Sequence, residues 1–246
     1  MIDSRSTGRF YDDLAPTYDL IFANWEASTA RQAAALAPLL PRGSAVLDCA
    51  CGIGTQALGL AALGYPVVGS DLSPVAAARA SREALARSLA LPVVAADMRA
   101  LPFASGTFDV VLAADNAVPH LLTPADLVAA AAEMRRVLRP GGRLVLTTRD
   151  YDSLRRDRPL STPPQRNANG TVTFQLWHWN AEGTHYDTEH FQLVPHGDEW
   201  TTTVRRASYW AITRAELGAL LTEAGFTDVT WPDTDFFQPV LSAATG

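Results

Sequence analysis

The chain alternates short apolar runs with longer stretches in which apolar residues recur at helical spacing. The apolar runs predict five β-strands, at residues 45–48, 67–70, 93–95, 108–113 and 144–148. The stretches between them predict helices, at 54–63, at 73–89 and from Thr123 to the Pro140-Gly141-Gly142 segment. Apolar strands that alternate with helices predict a mostly parallel sheet, seven-stranded in total, with helices on both faces.

The pattern changes after Tyr151. Three segments alternate polar and apolar residues and predict a small antiparallel sheet over one edge of the core, at 171–179, 185–194 and 200–212. The stretch from Arg155 to Asn169 is rich in proline and arginine and predicts a loop. A last helix from Thr213 to Ala224 precedes two strands, near 228–231 and 236–242.

We therefore expect a single α/β domain over residues 1–246. It would consist of an N-terminal helical lid (1–43), a ligand-binding core (44–150), a substrate-side β insertion (151–212) and a C-terminal helix with strands (213–246). The first forty residues predict helices that carry several aromatic side chains.

Composition and charge exclude several functional classes. The net charge is −6, and all 20 basic residues are arginine, so a nucleic-acid partner is not expected. No apolar run approaches the roughly 20 residues of a membrane helix, and the N-terminus lacks the pattern of a signal peptide. We expect a cytoplasmic protein without a membrane partner. The arginines at 155, 156 and 158 predict a solvated loop.

A glycine loop follows the first strand in VLDCACGIGTQALGLA, residues 46–61. It fits the dinucleotide pattern, but Asp48 before it would repel a pyrophosphate and would suit a cationic amino group. Asp71 ends the second strand, where an acid commonly binds ribose hydroxyls, and Asp97-Met98 after the third strand suits adenine. These groups together describe S-adenosylmethionine. Cys49 and Cys51 are too few for a zinc site and predict packing residues.

Five ordered motifs resemble those of class I S-adenosylmethionine (SAM)-dependent methyltransferases: VLDCACGIGT, VVGSDLS, AADM, FDVVLAADN and LRPGGRLVLTTRD. The segments YDDLAPTYDLIFANW, CGIGTQALGLAALGY, DNAVPHLL, RDYD and FFQPVL further resemble the glycine/sarcosine N-methyltransferase group, although residues 155–205 are only loosely similar. The resemblance implies the Rossmann-like methyltransferase fold, SAM as cofactor with S-adenosylhomocysteine as product, and N-methylation of a small amine. It also implies a lid in which Trp25 and Arg31 contact the cofactor.

The expected cofactor-binding residues come from the lid and from the strand ends. They are Tyr18, Trp25, Arg31, Asp48, Cys49, Ala50, Gly52, Asp71, Leu72, Asp97, Met98 and Asp115. No metal ion is expected, because a sulfonium methyl group is already activated for transfer.

The acceptor is expected beyond the fourth and fifth strands, where Asn116 and Arg149 follow the apolar runs. A guanidinium can clamp a carboxylate, and the resemblance implies that Arg149 binds the acceptor's carboxylate; the alternative is an ion pair with Asp152 or with another acid of the chain. Asn116 would accept a hydrogen bond from the amine. His120 would contact the acceptor or take its proton, or would be structural. Tyr11, Tyr151 and Trp177 complete the expected substrate-binding set.

Several alternatives remain at this point. The acceptor could be a larger small molecule or natural product, methylated on nitrogen or oxygen, since His178, Trp179, His185 and Tyr186 could also line the pocket. A non-catalytic SAM-binding module, an NAD-dependent oxidoreductase and a nucleic-acid methyltransferase explain fewer of the residues. The sequence does not distinguish a monomer from a homo-oligomer.

Overall fold

We describe residues 4–246 of the protein, with side chains from Thr7 onward, from a computed structural model. The first three residues of the expected lid lie outside this range. The strands, in chain order, are β1 (Val46–Asp48), β2 (Val67–Asp71), β3 (Val93–Ala95), β4 (Phe108–Ala113), β5 (Leu138–Thr147), β6 (Gln165–Arg166), β7 (Val172–Trp179), β8 (His185–His196), β9 (Glu199–Trp210), β10 (Phe226–Thr230) and β11 (Val240–Thr245).

The main sheet contains seven strands in the order β10-β11-β5-β4-β1-β2-β3. Strands β1 to β5 run parallel to one another, and β11 is antiparallel to both of its neighbours. The predicted mostly parallel seven-stranded sheet is thereby confirmed. The carboxyl ends of β1 to β5 lie at one edge of this sheet, where ligands of open α/β folds bind.

The helices are α1 (Ser4–Leu14), α2 (Trp25–Leu36), α3 (Thr55–Ala62), α4 (Pro74–Ala86), α5 (Pro124–Val137), α6 (Tyr151–Asp157) and α7 (Arg214–Glu223). Several of them start with side-chain caps: Ser73 and Thr123 accept hydrogen bonds from backbone N–H groups of the first turn, and Thr213 forms a capping box with Glu216.

Alternating residues of the main sheet build two cores. Leu47, Val111 and Leu144 pack with α5 and α7 on one face, whereas Val46 and Val110 pack with α2, α3 and α4 on the other. Because both faces are covered, the central strands are mostly apolar, and this explains why the sequence pattern predicts them. Within residues 4–246, no helix combines the length and the hydropathy that a membrane span requires.

A second sheet of four antiparallel strands, in the order β6-β7-β8-β9, lies between β5 and α7 in the chain. The end of β9, from Ala207 to Trp210, is buried and belongs to the same apolar core as α5 and β4. The antiparallel β insertion predicted from polar–apolar alternation is thus observed. Its inner face is directed toward the core, and its outer face carries exposed residues such as His178 and Arg206.

Several predicted boundaries were wrong. The loop predicted over 155–169 contains the end of α6, whose N-cap Asp150 accepts hydrogen bonds from Ser153, and the two-residue strand β6. Arg155 there pairs with Glu216 of α7 instead of lying free in solvent. Helix α4 ends at Ala86, since Ser88 has a positive φ of 55°. Strand β5 begins earlier than expected, and the last two strands are shifted along the chain.

Candidate functional site

A cavity of about 820 Å³ lies at the carboxyl ends of β1 to β4. This volume is in the upper part of the usual range for small-molecule sites, about 300–1,000 Å³. Its walls come from the loops after these strands, from α1 and the turn that follows it, and from His185, Asp187 and Ser208 of β8 and β9. Eleven of the site residues expected from the sequence line it: Tyr11, Tyr18, Cys49, Ala50, Gly52, Asp71, Leu72, Asp97, Met98, Asp115 and His120.

The glycine loop brings the backbone close to this cavity. Gly52 has a φ of 53° and Gly54 a φ of 99°, which side chains other than glycine rarely adopt. The Gly52 N–H donates to Asp71 Oδ2 at 2.8 Å, and a Cβ on Gly52 would contact the Tyr18 ring at 3.4 Å. The loop therefore links β1, β2 and the N-terminal segment at one point of the wall.

Two buried acids flank the loop. Burial raises the pKa of Asp48 to about 7, and the single backbone hydrogen bond from Ala50 does not offset this cost. Its Oδ2 atom is buried and lacks a hydrogen-bond partner among the described residues. Burial likewise raises the pKa of Asp71 to about 6, although the N–H groups of Ser73 and Gly52 both donate to it. Both acids would gain from a cationic or hydroxylated ligand.

The third strand end carries Asp97, Met98 and Arg99, and all three line the cavity. Asp97 accepts hydrogen bonds from the Arg99 backbone N–H at 2.9 Å and from its guanidinium at 2.6 Å. Burial alone would raise the pKa of Asp97, but the bonds from Arg99 outweigh it and lower the pKa. Arg99 also pairs with Asp126, so this part of the wall is a rigid ion-pair network.

The turn after β4 is built from Asp115 and Asn116, which both have positive φ angles of 55° and 67°. Asp and Asn tolerate this left-handed conformation better than other residues with side chains. Thr147 of β5 fixes the turn by accepting hydrogen bonds from both backbone N–H groups. Burial raises the pKa of Asp115, whose carboxylate lines the cavity and accepts a hydrogen bond from Gln238.

Asn116 lies behind the cavity wall and differs from its expected role. Its Oδ1 accepts a hydrogen bond from the Arg149 backbone N–H at 3.1 Å. Its buried Nδ2 makes no hydrogen bond of normal geometry within the described part of the chain, although it lies near enough to Tyr151 to lower the pKa of that phenol slightly against the effect of burial. The free group of Asn116 is therefore a donor, suited to a ligand oxygen, whereas the sequence predicted an acceptor for an amine.

Arg149 is held among aromatic side chains behind the same wall. Its guanidinium donates to Tyr186 Oη at 2.8 Å and to Gln175 Oε1 at 3.3 Å. It lies 4.8 Å from the ring centroid of Trp177 and 5.3 Å from that of Tyr209. No carboxylate in residues 7–246 forms an ion pair with it.

The alternative of an Arg149–Asp152 ion pair is not realised, because Asp152 faces Arg214 at 3.6 Å. Tyr151 and Trp177 surround Arg149 and do not reach the cavity surface. Tyr151 Oη lies 3.0 Å from Tyr186 Oη, so the arginine, the tyrosines and Trp177 form one buried cluster.

His120 is neutral and its hydrogen bonds fix its tautomer. Its Nδ1 lies 3.1 Å from the Ser208 carbonyl and must donate, so Nε2 accepts the hydrogen bond from Tyr11 Oη at 2.8 Å. Burial and the nearby Arg149 charge lower the pKa of His120 to about 3. A histidine with such a pKa is a poor proton acceptor at neutral pH, and its position favours a role in binding.

Trp25 and Arg31 of the N-terminal lid do not line the cavity, although the resemblance implied that they contact the cofactor. Trp25 packs between the guanidinium groups of Arg79 and Arg87, at 5.6 and 5.2 Å, and reaches the cavity only through its hydrogen bond to Thr55. Arg31 lies on the exposed face of α2 and donates to Ser28. Helix α2 thus turns these side chains toward α4 and solvent, and Tyr11 and Tyr18 of the preceding segment cover the cavity instead.

The cysteines pack beside the glycine loop. Both are buried and free, and burial raises the pKa of each thiol. A Cβ at Gly69 of β2 would lie 3.0 Å from Cys51 Sγ, which shows how closely the sulfur packs against the sheet.

The sequence missed Gln175 and Tyr209, which contact Arg149 directly. The available signal was strand alternation: Gln175 shares the inner face of β7 with Trp177. Of the additional candidates, Trp179 and Tyr186 pack on the inner side, His185 lines the cavity, and His178 is exposed on the outer face.

The residues present fit SAM. Asp48 is buried behind the cavity wall, next to Cys49, and does not line the cavity itself; an ammonium group that reached its orphaned Oδ2 would satisfy it. Hydroxyl groups would satisfy Asp71, and the Asp97–Met98 pair suits the edge and face of an aromatic base. Tyr11 and Tyr18 add aromatic faces that favour a cation.

Comparison with known proteins finds methyltransferases. Residues 46–142 match a family described as a methyltransferase domain. A demethylmenaquinone methyltransferase from Thermus thermophilus is 38% identical over 146 residues, which cover 55% of this chain and 62% of that protein. A glycine/sarcosine N-methyltransferase from Parasynechococcus marenigrum is 34% identical over 148 residues, 59% of this chain and 52% of that protein. The chain thus spans about half to three fifths of these relatives' length.

The fold is that of the CcbJ methyltransferase from Streptomyces caelestis, with a TM-score of 0.79 at 20% identity over 96% of this chain and 98% of that one. This likeness covers the β insertion as well as the main sheet and establishes the Rossmann-like methyltransferase fold. The cofactor of the matched family is SAM. Residues 46–142 thus match a methyltransferase-domain family, and the chain as a whole has the fold of the CcbJ methyltransferase.

Proposed function

We propose that the protein transfers a methyl group from SAM to the nitrogen of a small amine that also carries a carboxylate, as glycine and sarcosine do. The observation that carries the proposal is Arg149, a guanidinium held among aromatic rings without a carboxylate partner within residues 7–246. A buried or partly buried charge of this kind is usually paired, and an acceptor carboxylate would complete the pair.

When bound, SAM supplies a methyl group on a positively charged sulfur, which needs no metal for its activation. Asp48, Asp71, Asp97 and Met98 would hold it at the ends of β1, β2 and β3. The chain's own contribution is to align the acceptor nitrogen and to exclude water. Tyr11 and Tyr18 serve the second purpose, because they close the cavity from the side of the N-terminal segment.

The amine must lose its proton before or during transfer. Asp115 is better suited than His120 to hold this proton, because its carboxylate lines the cavity and burial raises its pKa, whereas the pKa of His120 is about 3. His120 and Tyr11 then position the acceptor through their mutual hydrogen bond. The Nδ2 of Asn116 supplies a donor for an acceptor oxygen.

The test is release of S-adenosylhomocysteine by the purified protein with SAM and a panel of amines. The panel contains glycine, sarcosine, dimethylglycine and larger amino-acid-like amines, each beside its carboxamide. We expect turnover to favour the carboxylates. Arg149→Ala should raise KM for a carboxylate acceptor about 10- to 100-fold, and Arg149→Lys should restore only part of the loss.

Arg206→Ala is the control, since Arg206 is exposed on the outer face of the small sheet and pairs with Glu189. It should leave KM unchanged. Equal turnover of acids and amides, or full activity of Arg149→Ala, would contradict the proposed acceptor.

A larger acceptor is the second candidate, and the size of the cavity favours it. Beyond the strand ends the wall includes His185, Asp187 and Ser208 of the small sheet, which could bind hydroxyl or amino groups of a larger amine. Turnover of only the larger amines of the same panel would support this candidate over the glycine type.

A further inference from the structure

Gln238 joins the segment before β11 to the turn that carries Asp115. One end of its side-chain amide lies 2.8 Å from Thr147 Oγ1, and the other end lies 3.2 Å from Asp115 Oδ1. The Thr147 hydroxyl in turn accepts a hydrogen bond from the backbone N–H of Asp115 at 2.8 Å. The three residues therefore form a closed hydrogen-bonded ring at the carboxyl ends of β4 and β5.

An ionised Asp115 fixes the direction of every bond in this ring. A carboxylate can only accept hydrogen bonds, so the amide nitrogen of Gln238 must face it. The amide oxygen then faces Thr147 and accepts the proton of its hydroxyl group. A proton can still be added at Oδ2 of Asp115, because Gln238 bonds to Oδ1.

Asp115 presents this carboxylate to the cavity. Burial raises its pKa, whereas the charge of Arg149 and the hydrogen bond from Gln238 both act to lower it. The other titratable groups that face it are phenols, which stay neutral near physiological pH because burial raises their pKa values; they belong to Tyr11, Tyr18 and Tyr209. Gln238 therefore opposes the cost of burying Asp115 through a direct hydrogen bond.

We infer that Gln238 is a positioning residue for the methyl transfer, which orients the Asp115 carboxylate and favours its ionised form until the amine arrives. This inference rests on the proposed function, in which Asp115 holds the proton of the amine. The amine nitrogen gives that proton to Oδ2 of Asp115. Its lone pair forms the bond to the methyl carbon, and the sulfur keeps the electron pair of the carbon–sulfur bond that breaks. Gln238 does not line the cavity, so it acts through Asp115.

Two substitutions separate positioning from packing. Gln238→Leu removes both bonds of the amide at similar side-chain size. Gln238→Glu keeps an oxygen for the Thr147 hydroxyl but replaces the donor to Asp115 by a second carboxylate. Phe237→Leu is the control in the same segment, because Phe237 is exposed and packs on Phe236.

Two measurements follow Asp115 in each protein. The first is an NMR titration of its carboxyl carbon in the SAM-free chain, with the signal assigned by its absence in Asp115→Asn. The second is the pH dependence of kcat/KM at saturating SAM for the best acceptor of the panel, whose acid limb reports the group that accepts the proton. Comparing variants with the wild type cancels the titrations of Asp48 and Asp71, which the substitutions leave in place.

We expect Gln238→Leu to move the Asp115 titration and the acid limb to higher pH by about one unit, because a hydrogen bond to a charged acceptor is lost. On the acid limb this is about a tenfold loss of kcat/KM. Gln238→Glu should move both further, since two neighbouring carboxylates resist simultaneous ionisation. Phe237→Leu should match the wild type. A packing role predicts the reverse order, because Gln238→Glu retains the bond from Thr147.

The outcomes separate this inference from the proposed function. An Asp115 titration that stays in place in both Gln238 variants overturns the role of Gln238 alone. A titration that moves while the acid limb does not, or an acid limb that persists in Asp115→Asn, overturns Asp115 as the proton acceptor and the catalytic role of Gln238 with it. Absence of turnover with every amine of the panel overturns the proposed acceptor, and the NMR titration then still decides whether Gln238 holds Asp115 ionised.

Discussion

Asp48→Asn should change the pH dependence of stability in a way that reports on the cofactor site. Asp48 is fully buried, and its Oδ2 lacks a protein partner within the described range. Asparagine has nearly the same size but cannot ionise. The substitution therefore removes the buried charge and leaves the packing of the glycine loop largely as it is.

The magnitude follows from the pKa of Asp48, about 7 in the folded chain against the ordinary 3.8 expected when unfolded. The folded state then binds more protons than the unfolded state between these values, so the wild type loses stability as the pH rises. The loss is complete above pH 7 and amounts to about 4 kcal/mol, at 1.36 kcal/mol for each pH unit. Below pH 4 it vanishes, because the carboxyl is protonated in both states.

The assay is urea unfolding of the wild type and Asp48→Asn between pH 4 and 8, without SAM. Taking the difference between the two proteins cancels other titrating groups. The difference should shift by up to about 4 kcal/mol in favour of the variant as the pH rises. Asp109→Asn is the control, because bonds from Ala45 and Arg139 lower the pKa of Asp109; its stabilisation is lost only below about pH 4, so its difference from the wild type should stay constant across this pH range.

If the difference in unfolding free energy between the wild type and Asp48→Asn stays constant with pH, the reasoning is refuted, because a constant difference reflects packing and not charge. The same unfolding measurements with SAM provide a second test. The cofactor should stabilise the wild type more than Asp48→Asn, because only the wild type offers it a carboxylate.

Two other predictions concern the walls of the cavity. Tyr11→Phe should lower the free energy of unfolding by about 1–3 kcal/mol in chemical denaturation, because it leaves the buried Nε2 of His120 without its donor; an unchanged midpoint would contradict the hydrogen bond. Gly54→Ala should lower the melting temperature more than Gly64→Ala, since both glycines have positive φ angles but only at Gly54 would a Cβ meet Leu58, at 2.9 Å; equal losses would show that the contact costs nothing.

The sequence predicted those elements whose burial can be inferred from the residues next to them in the chain. Strands β1 and β4 are buried on both faces, so their apolar runs are readable without knowledge of their partners. The acids at the strand ends were likewise readable, since a strand end fixes their position. Helix α6 was not, because its seven residues carry too few apolar positions to show a helical period.

The orientation of side chains was less predictable than their position. Trp25 is on the expected helix, but packing against Arg79 and Arg87 turned it from the cavity. Asn116 is at the expected strand end, yet the Arg149 N–H occupies its oxygen and leaves its nitrogen free. Both outcomes depend on contacts between residues distant in the chain, which local patterns do not encode.

The segment from Asp12 to Leu20 is bonded to both halves of the molecule. Arg79 of α4 donates to the Ala15 carbonyl, while Arg205 and Asn167 of the small sheet region donate to the carbonyls of Asp13 and Leu20. The same segment therefore covers the cavity on the side of the main sheet and on the side of the small sheet, so a ligand leaving past this segment requires it to move. If product release limits turnover, the methylated product and S-adenosylhomocysteine should dissociate with the same rate constant. That rate constant would be the rate at which the hydrogen bonds to the Asp13, Ala15 and Leu20 carbonyls open together.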